Sequence, residues 1–201
     1  MLRHGLLIVV CLFCQIPLSA SILAFTTYGP GDTYDTRRGY TVGAGYTGGN
    51  LFMPFTTGPF YEVDLALAYA QGSHTVQVEL AMDSGGAPGA VIESFSVNVN
   101  NTFGSPGAVV QVFSVLQPVL QAGTPYWLLA TTDASSNDPW YYSSIGVTGP
   151  RFDGTTVFTD TMAAFRVLEA TAAGPTNTPE PSTVLAGLVA CSALFVRRFR
   201  R

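Results

Sequence analysis

Lysine is absent from this chain of 201 residues, and all nine of its basic residues are arginine. Only four arginines lie between residues 25 and 178, where twelve aspartates and glutamates give a net charge of −8. Nucleic-acid-binding domains carry a basic patch or stripe on one face. This acidic segment has no such stripe, so the sequence argues against a nucleic-acid partner.

Cysteine and histidine are nearly missing as well. Cys11, Cys14 and Cys191 lie in apolar segments near the termini, and His74 is the one histidine within residues 25–172. A disulfide and a Cys–His nucleophile pair are therefore excluded from this region, and a zinc site would need mostly carboxylate ligands. A Ser-His-Asp triad would depend on His74, and no Gly-x-Ser-x-Gly motif is present. We predict no catalytic residue, no cofactor and no metal.

Paired carboxylates are the catalytic arrangement that this composition still allows. A glycosidase needs two acidic side chains about 5–10 Å apart, and two different strands can supply them. The acids available for such a pair are Asp64, Glu79, Asp133, Asp138 and Asp153. Scattered acids on a sheet usually serve to solvate it, so we predict a protein that is not an enzyme. A secreted glycosidase is the alternative, which a pocket with two acids would favour.

Residues 1–24 have the three-part pattern of a secretory signal peptide. Arg3 gives a basic start, an apolar run follows, and small residues surround Ala20. The apolar run is shorter than the roughly 20 residues of a membrane span. We therefore predict a cleaved signal helix, cut between Ala20 and Ala24, and the alternative is a retained N-terminal anchor.

Residues 25–172 contain short runs of alternating or β-branched apolar residues between turn signals. In the run TVQVEL, residues 75–80, the valines and the leucine face inward while glutamine and glutamate face water. Eight or nine strands are expected, roughly at Leu51–Phe55, Tyr61–Ala70, Thr75–Met82, Val91–Val99, Val109–Leu116, Tyr126–Thr132, Trp140–Ile145, Thr156–Thr159 and Ala163–Ala170. No long stretch has the helical period, so we predict an all-β domain, an antiparallel β-sandwich of jelly-roll type.

A glycine-rich turn, DSGGAPG at residues 83–89, follows one of the predicted strands. Asp83 can cap its own turn, and the glycines allow a positive φ. Calcium prefers several oxygen ligands, whereas this loop supplies one carboxylate. We predict a structural turn, with a weak calcium site at Asp83 as the alternative.

Three aromatic residues follow one another in DPWYY, residues 138–142. Alternate residues of a strand face the same way, so Trp140 and Tyr142 share one face and Tyr141 takes the other. Aromatic rings on an exposed face stack on sugar rings. The pair Trp140 and Tyr142 therefore predicts either a carbohydrate-binding platform, if both rings are exposed, or two core residues, if they are buried.

The C-terminal segment has three parts: a proline-rich spacer at 173–181, an uncharged apolar run at 182–196 and a basic tail at 197–201. A helix of 15 residues reaches about 22 Å, short of the ~30 Å hydrocarbon core. The positive-inside rule would keep the arginines cytoplasmic and the domain outside. We predict a single membrane helix, used either as a removable handle or as a permanent tail anchor.

The order of these three parts resembles the PEP-CTERM sorting signal. The motif residues are Pro179, Glu180 and Pro181, and the basic stop consists of Arg197, Arg198, Arg200 and Arg201. The resemblance implies processing by an exosortase, a transpeptidase-like membrane cysteine protease of Gram-negative bacteria that make extracellular polysaccharide. It implies a cut near Pro179–Pro181, with Glu180 as a recognition element rather than a catalytic group.

The body is similar to the choice-of-anchor domains of type R, a class common among PEP-CTERM proteins. The residues that carry this likeness are Pro54–Thr57, Glu62–Leu67, Val76–Leu80 with Asp83, Gly85–Gly89 and Leu120–Leu128. The class implies no known reaction.

From these two resemblances we expect a protein that is exported, held transiently at the inner membrane and delivered to the cell surface or extracellular matrix. Its expected role is structural or adhesive, in an exopolysaccharide or biofilm matrix. The expected partners are the exosortase, the secretion machinery, the inner membrane and extracellular polysaccharide. A carbohydrate-binding module at the cell surface and a permanently tail-anchored protein are the alternatives.

Overall fold

The structure, a computed structural model, describes residues 20–171 except residues 44, 45, 106 and 108. Within these residues the chain is all β, with antiparallel sheets and no helix. The strands are β1 (Ser21–Thr26), β2 (Tyr34–Gly43), β3 (Gly48–Phe52), β4 (Gly58–Leu65), β5 (Thr75–Asp83), β6 (Pro88–Asn98), β7 (Val110–Phe113), β8 (Val119–Leu120), β9 (Tyr126–Thr132), β10 (Asn137–Ser143), β11 (Thr148–Phe152), β12 (Val157–Thr161) and β13 (Phe165–Ala170).

In this described part of the chain, no helix is both long enough and apolar enough to cross a membrane. The predicted signal helix up to residue 19 and the predicted spacer, membrane helix and basic tail from residue 172 lie outside the described residues.

The strands form two layers and a connecting ribbon. Sheet I has the order β1-β13-β4-β7, with β8 also paired to β4, and sheet II has the order β12-β11-β3-β9-β5-β6. The ribbon is the pair β2 and β10, which joins sheet I through a bridge between Leu67 and Trp140. One apolar cluster contains side chains from both sheets and from the ribbon, so the arrangement is sandwich-like.

The core follows the period-2 pattern that the sequence predicts. In β5, Val76, Val78 and Leu80 are fully buried while Gln77 is exposed. Burial of each such apolar side chain contributes about 1.5–3 kcal/mol. The alternation therefore fixes which face of β5 meets sheet I, because a slip of one residue would expose all three side chains.

Every predicted strand overlaps an observed one, but the boundaries differ and four strands were not predicted. The longest difference is in β4, which ends at Leu65 although the apolar pattern runs to Ala70. Beyond Leu65 the chain leaves β13 and turns toward the ribbon, where the Ala68 N–H donates to the Pro139 carbonyl oxygen (2.9 Å). The chain thus changes its pairing partner from β13 to the ribbon after Leu65, although the apolar pattern of the sequence continues without a break to Ala70.

The two ends of the described chain lie side by side. Ser21 pairs with Ala170 at the start of β1 and the end of β13. The Thr171 N–H (2.9 Å) and Oγ1–H (2.7 Å) both donate to the Ala20 carbonyl oxygen. The predicted signal segment, residues 1–24, therefore overlaps the first four residues of β1.

Candidate functional site

An open cleft of about 320 Å³ lies where β2, β3 and β11 meet. We call it the arginine–tyrosine cleft, and its lining residues are Tyr40, Thr41, Tyr46, Thr47, Gly48, Arg151, Phe152 and Asp153. Aromatic rings, hydroxyls, a guanidinium and a carboxylate converge here. This combination is typical of sites that bind small polar ligands.

Arg151 forms the floor of the cleft and is held from several sides. Its Nη1 donates to Asp160 Oδ2 (2.7 Å) and to Tyr142 Oη (3.0 Å). Its Cζ lies 4.2 Å from the centroid of the Tyr40 ring and 5.0 Å from that of Phe158. Cation–π contacts of this kind and the ion pair fix the guanidinium plane before any ligand arrives.

A glycine makes the close packing in the cleft wall possible. A Cβ on Gly48 would lie 2.2 Å from Cε2 of Tyr40, so no larger residue fits beside that ring. The Tyr40 hydroxyl accepts a hydrogen bond from Asn50 Nδ2 (2.7 Å), and burial raises the pKa of Tyr40. Tyr40 is therefore a neutral structural wall, with Arg151 stacked on one face of its ring.

The rim of the cleft carries one exposed aromatic ring and one carboxylate. Tyr46 is 62% exposed. Asp153 Oδ1 accepts hydrogen bonds from the backbone N–H groups of Thr155 (2.9 Å) and Thr156 (2.8 Å), which hold its pKa well below the usual range. The rim thus offers the ring face of Tyr46 and the carboxylate of Asp153. The ring can stack on a hydroxylated ring of a ligand, and the carboxylate can accept hydrogen bonds from its hydroxyl groups.

Trp140 and Tyr142 do not form the exposed platform considered from the sequence. Trp140 is fully buried, and its Nε1–H donates to the Ala164 carbonyl oxygen (3.0 Å). Tyr142 is half-buried and its hydroxyl accepts from Arg151. Both pack in or against the main core, whereas Tyr141 belongs to a second cluster, so the expected alternation of faces holds.

Asp83 uses both carboxylate oxygens within its own neighbourhood. Oδ1 accepts from Trp127 Nε1 (2.8 Å), and Oδ2 accepts from the Gly86 N–H (3.0 Å). Gly85 and Gly86 both have positive φ, as the predicted turn requires. In the described ranges, no group of three or more His, Cys, Asp or Glu side chains is placed to hold a metal ion.

Two neighbouring acids lie on β4, where Glu62 and Asp64 share one face and their side chains interact. Asp64 is fully buried, and its Oδ2 accepts from Arg166 Nε. Glu62 Oε1 accepts from Gln111 Nε2 (2.9 Å). Burial and then the adjacent Asp64 carboxyl raise the pKa of Glu62 to about 7. Sequence reasoning named Asp64 but missed Glu62, although the i, i+2 spacing was the available signal.

A second cleft, of about 440 Å³, is apolar and lies beside β1. Phe25, Phe52, Met53, Phe55 and Met162 contribute to its lining. The Phe25 ring contacts the rings of Phe52 (5.6 Å) and Phe55 (5.7 Å). Neither this cleft nor the arginine–tyrosine cleft is lined by two acidic side chains, the arrangement that a glycosidase needs.

The predicted sorting residues, from Pro179 to Arg201, lie outside the described residues. The chain was also compared with known proteins. No protein-family model matches it, and no curated protein sequence matches it either.

Proposed function

We propose that this chain is an exported cell-surface or extracellular-matrix protein that carries a C-terminal exosortase sorting signal. The observation that carries the proposal is the order of Pro179-Glu180-Pro181, the uncharged run 182–196 and the arginine-rich tail. The position of the last strand is consistent with this proposal. β13 ends at Ala170, nine residues before the motif begins at Pro179. A cut near Pro181 therefore leaves every described strand intact.

The physical sequence of events follows from charge and hydrophobicity. The signal peptide directs export, and the C-terminal arginines stop the apolar run from passing through the membrane. That run is short and rich in small residues, so it is a weak anchor. It holds the protein at the membrane only until the chain is cut at the motif. Cleavage at the motif then releases the domain, whose residues 25–178 have a net charge of −8, and this charge favours solubility outside the cell.

We further infer that the sandwich is a jelly roll. Eight strands support this, in the orders β1-β13-β4-β7 and β3-β9-β5-β6. Apart from the hairpin of β5 and β6, the neighbours in these orders are not consecutive in sequence, and the first strand pairs with the last, as in two Greek keys wrapped on each other. The ribbon β2–β10 and the strands β8, β11 and β12 are additions to that frame.

The exported domain would act as a structural or adhesive component of the matrix. Carbohydrate binding is the second candidate function, and the arginine–tyrosine cleft is the observation that favours it. Tyr46 supplies an exposed ring, and Asp153 and Arg151 supply fixed polar groups beside it. The net negative charge of the domain disfavours acidic polysaccharides, so a neutral glycan is the expected ligand.

Fractionation of producing cells tests the sorting proposal. In a Gram-negative host with an exosortase, we expect wild-type protein on the surface or in the medium. Glu180→Ala should retain the protein in the inner membrane, because the recognition element is lost. Thr176→Ala, in the spacer, is the matched control and should behave as wild type. Release of Glu180→Ala at the wild-type level would contradict the proposal.

Binding to neutral polysaccharides tests the second candidate. Tyr46→Ala should lower affinity by up to roughly tenfold, since stacking on one aromatic ring is worth about 0.5–1.5 kcal/mol. Phe103→Ala is the matched control, because Phe103 is also an exposed aromatic residue but lies away from the cleft. Equal binding by the wild type and both variants would remove the cleft as the glycan site.

A further inference from the structure

Of the fifteen large apolar residues that are exposed in the described part of the chain, six lie at one end of the sandwich. Val115 is 85% exposed, Phe55 68% and Leu116 67%, and Ile22, Leu23 and Val119 are each about half exposed. Isolated apolar residues on a surface need no explanation, whereas a contiguous group marks an interaction site. We call these six residues the apolar end.

Strand pairing places five of the six residues at the same end of sheet I, and Phe55 lies beside β1, where its N–H donates to the Ala24 carbonyl oxygen (2.8 Å). Ser21 at the start of β1 pairs with Ala170 at the end of β13, and Glu169 pairs with Phe60 near the start of β4. Val119 pairs with Pro59, and the loop with Val115 and Leu116 follows the last residue of β7. The four strands β1, β13, β4 and β7 are about 14 Å wide at a spacing of ~4.8 Å.

A buried carboxylate holds the loop with Val115 and Leu116 in place. Glu93 Oε1 accepts from the backbone N–H groups of Val115 (2.7 Å) and Leu116 (3.0 Å), and Oε2 accepts from Ser114 Oγ (2.6 Å). Ser114 Oγ in turn accepts from the Gln117 N–H (2.8 Å). The loop backbone is therefore fixed by the protein interior, and its two apolar side chains are held toward the solvent.

The six exposed side chains of the apolar end are uncharged, and the neighbouring carboxyls of Glu93 and Glu169 are buried. No Lys, Arg, Asp or Glu occurs in residues 39–61 or 94–132, the segments that contain Phe55, Val115, Leu116 and Val119. We therefore do not expect attraction to an oppositely charged partner to drive binding at the apolar end. A surface that is neutral overall and apolar just below its polar layer, such as a zwitterionic lipid bilayer, matches this chemistry.

The rest of the chain leaves the domain from this same end. Ala20 and Thr171 are hydrogen-bonded neighbours, and the segments beyond them contain the two apolar runs of the sequence, one before residue 20 and one at 182–196. The connecting residues 172–181 reach at most roughly 35 Å when fully extended. A membrane-inserted run at 182–196 would keep the apolar end close to the bilayer.

We propose that the apolar end docks on the bilayer surface while the sorting signal is still attached. This inference rests on the proposed function for the membrane tether. The tether supplies a high effective concentration, so a few apolar side chains inserted at headgroup depth are enough to hold the domain against the lipid. After cleavage the same side chains bind too weakly by themselves, and the domain leaves the membrane.

Site-specific fluorescence on the full-length chain in phosphatidylcholine vesicles tests the docking. The background replaces Cys11, Cys14 and Cys191 by serine, and either Val115→Cys or Val157→Cys carries an environment-sensitive probe. Val157 is the matched control, because it is an exposed valine on β12, away from the apolar end. A third sample keeps the native Cys191 as the only labelled site and reports insertion of the predicted membrane run.

A lipid-phase quencher should reduce the emission of the probe at 115 at least about threefold more than at 157, since the docked side chains sit at headgroup depth. Equal quenching at 115 and 157 would overturn the docking. A probe at 115 that is already shielded from water before vesicles are added would also overturn it, because a second copy then covers the surface.

Cys191 separates failure of the docking from failure of the sorting proposal. Quenching at 191 without quenching at 115 overturns the docking and leaves the membrane tether intact. Quenching at 115 without quenching at 191 also overturns the proposal, because the apolar end would then bind lipid without the tether that the proposal requires. Leu116→Cys provides a second labelling position if the first variant folds poorly.

Discussion

The two ends of the sandwich fix their loops with carboxylates in opposite environments. At the apolar end, the buried Glu93 binds the loop from below, and Val115 and Leu116 point outward. At the other end, Asp133 is exposed and accepts hydrogen bonds from Ser73 Oγ (2.6 Å) and Ser136 Oγ (2.8 Å). The first arrangement presents apolar groups and the second presents hydroxyls, so the surfaces of the two loops suit different neighbours.

Replacement of the buried carboxylate should have the largest effect on stability. Glu93→Ala leaves the N–H groups of Val115 and Leu116 and the hydroxyl of Ser114 without their acceptor. Loss of hydrogen bonds to a buried charged group costs about 3 kcal/mol. Urea unfolding should show this as a lower midpoint, and an unchanged midpoint would mean that the loop does not depend on Glu93.

Buried and exposed carboxyls should affect the pH dependence of stability in different ways. Burial raises the pKa of Glu62 to about 7 and that of Asp138 to about 6. A group with a raised folded-state pKa contributes stability below its unfolded pKa, and this contribution is lost as pH rises through the folded pKa. The urea midpoint should therefore fall between pH 5 and pH 8.

Glu62→Gln is the control for this dependence. The variant should show a smaller fall in the urea midpoint between pH 5 and pH 8, because the amide does not titrate. Asp133 and Asp153 have lowered pKa values from their hydrogen bonds, so their contribution is lost only on strong acidification. A midpoint that rises between pH 5 and pH 8 would contradict the assignment of Glu62 and Asp138.

The exposed carboxylate at the other end should matter less. Asp133→Asn removes a charge that the three hydroxyls of Ser73, Ser135 and Ser136 hold in a solvent-exposed loop. Water can replace the lost hydrogen bonds, so the urea midpoint should fall by less than in Glu93→Ala. A fall in the urea midpoint as large as that of Glu93→Ala, or larger, would contradict the idea that the exposed carboxylate contributes less to stability than the buried one.

Polar replacement of the exposed apolar pair should have the smallest effect on stability. Val115→Ser combined with Leu116→Ser changes no buried side chain, so the free energy of unfolding should stay within about 0.5 kcal/mol of wild type. The same variant should bind phosphatidylcholine vesicles less tightly than wild type in flotation. A large destabilisation would show that these side chains belong to the core.

Strands with regular alternation of apolar and polar residues were predicted from the sequence, whereas strands without it were not. The bounds of β9 match the prediction, and those of β5 differ by one residue. β11 was missed because it contains Gly149 and Pro150, residues that disfavour strands, and Pro150 sits in the ladder opposite Thr159. β1 was missed because its apolar residues continue the signal-like segment, and only its pairing with β13 distinguishes them.

The candidate site was less predictable than the fold, because its residues are distant in sequence. Tyr40 and Arg151 meet only after β2 and β11 have packed on β3. The sequence placed Trp140 and Tyr142 on one face, but which face meets the core depends on the tertiary arrangement. Alternation along a strand shows which side chains share a face. It does not show whether that face is buried in the core or exposed to solvent.

The intact mass of the protein recovered from the extracellular matrix tests the central claim most directly. The account predicts a single species that begins between residues 21 and 25 and ends near Pro181. A matrix-localised species that still extends to Arg201 would contradict it.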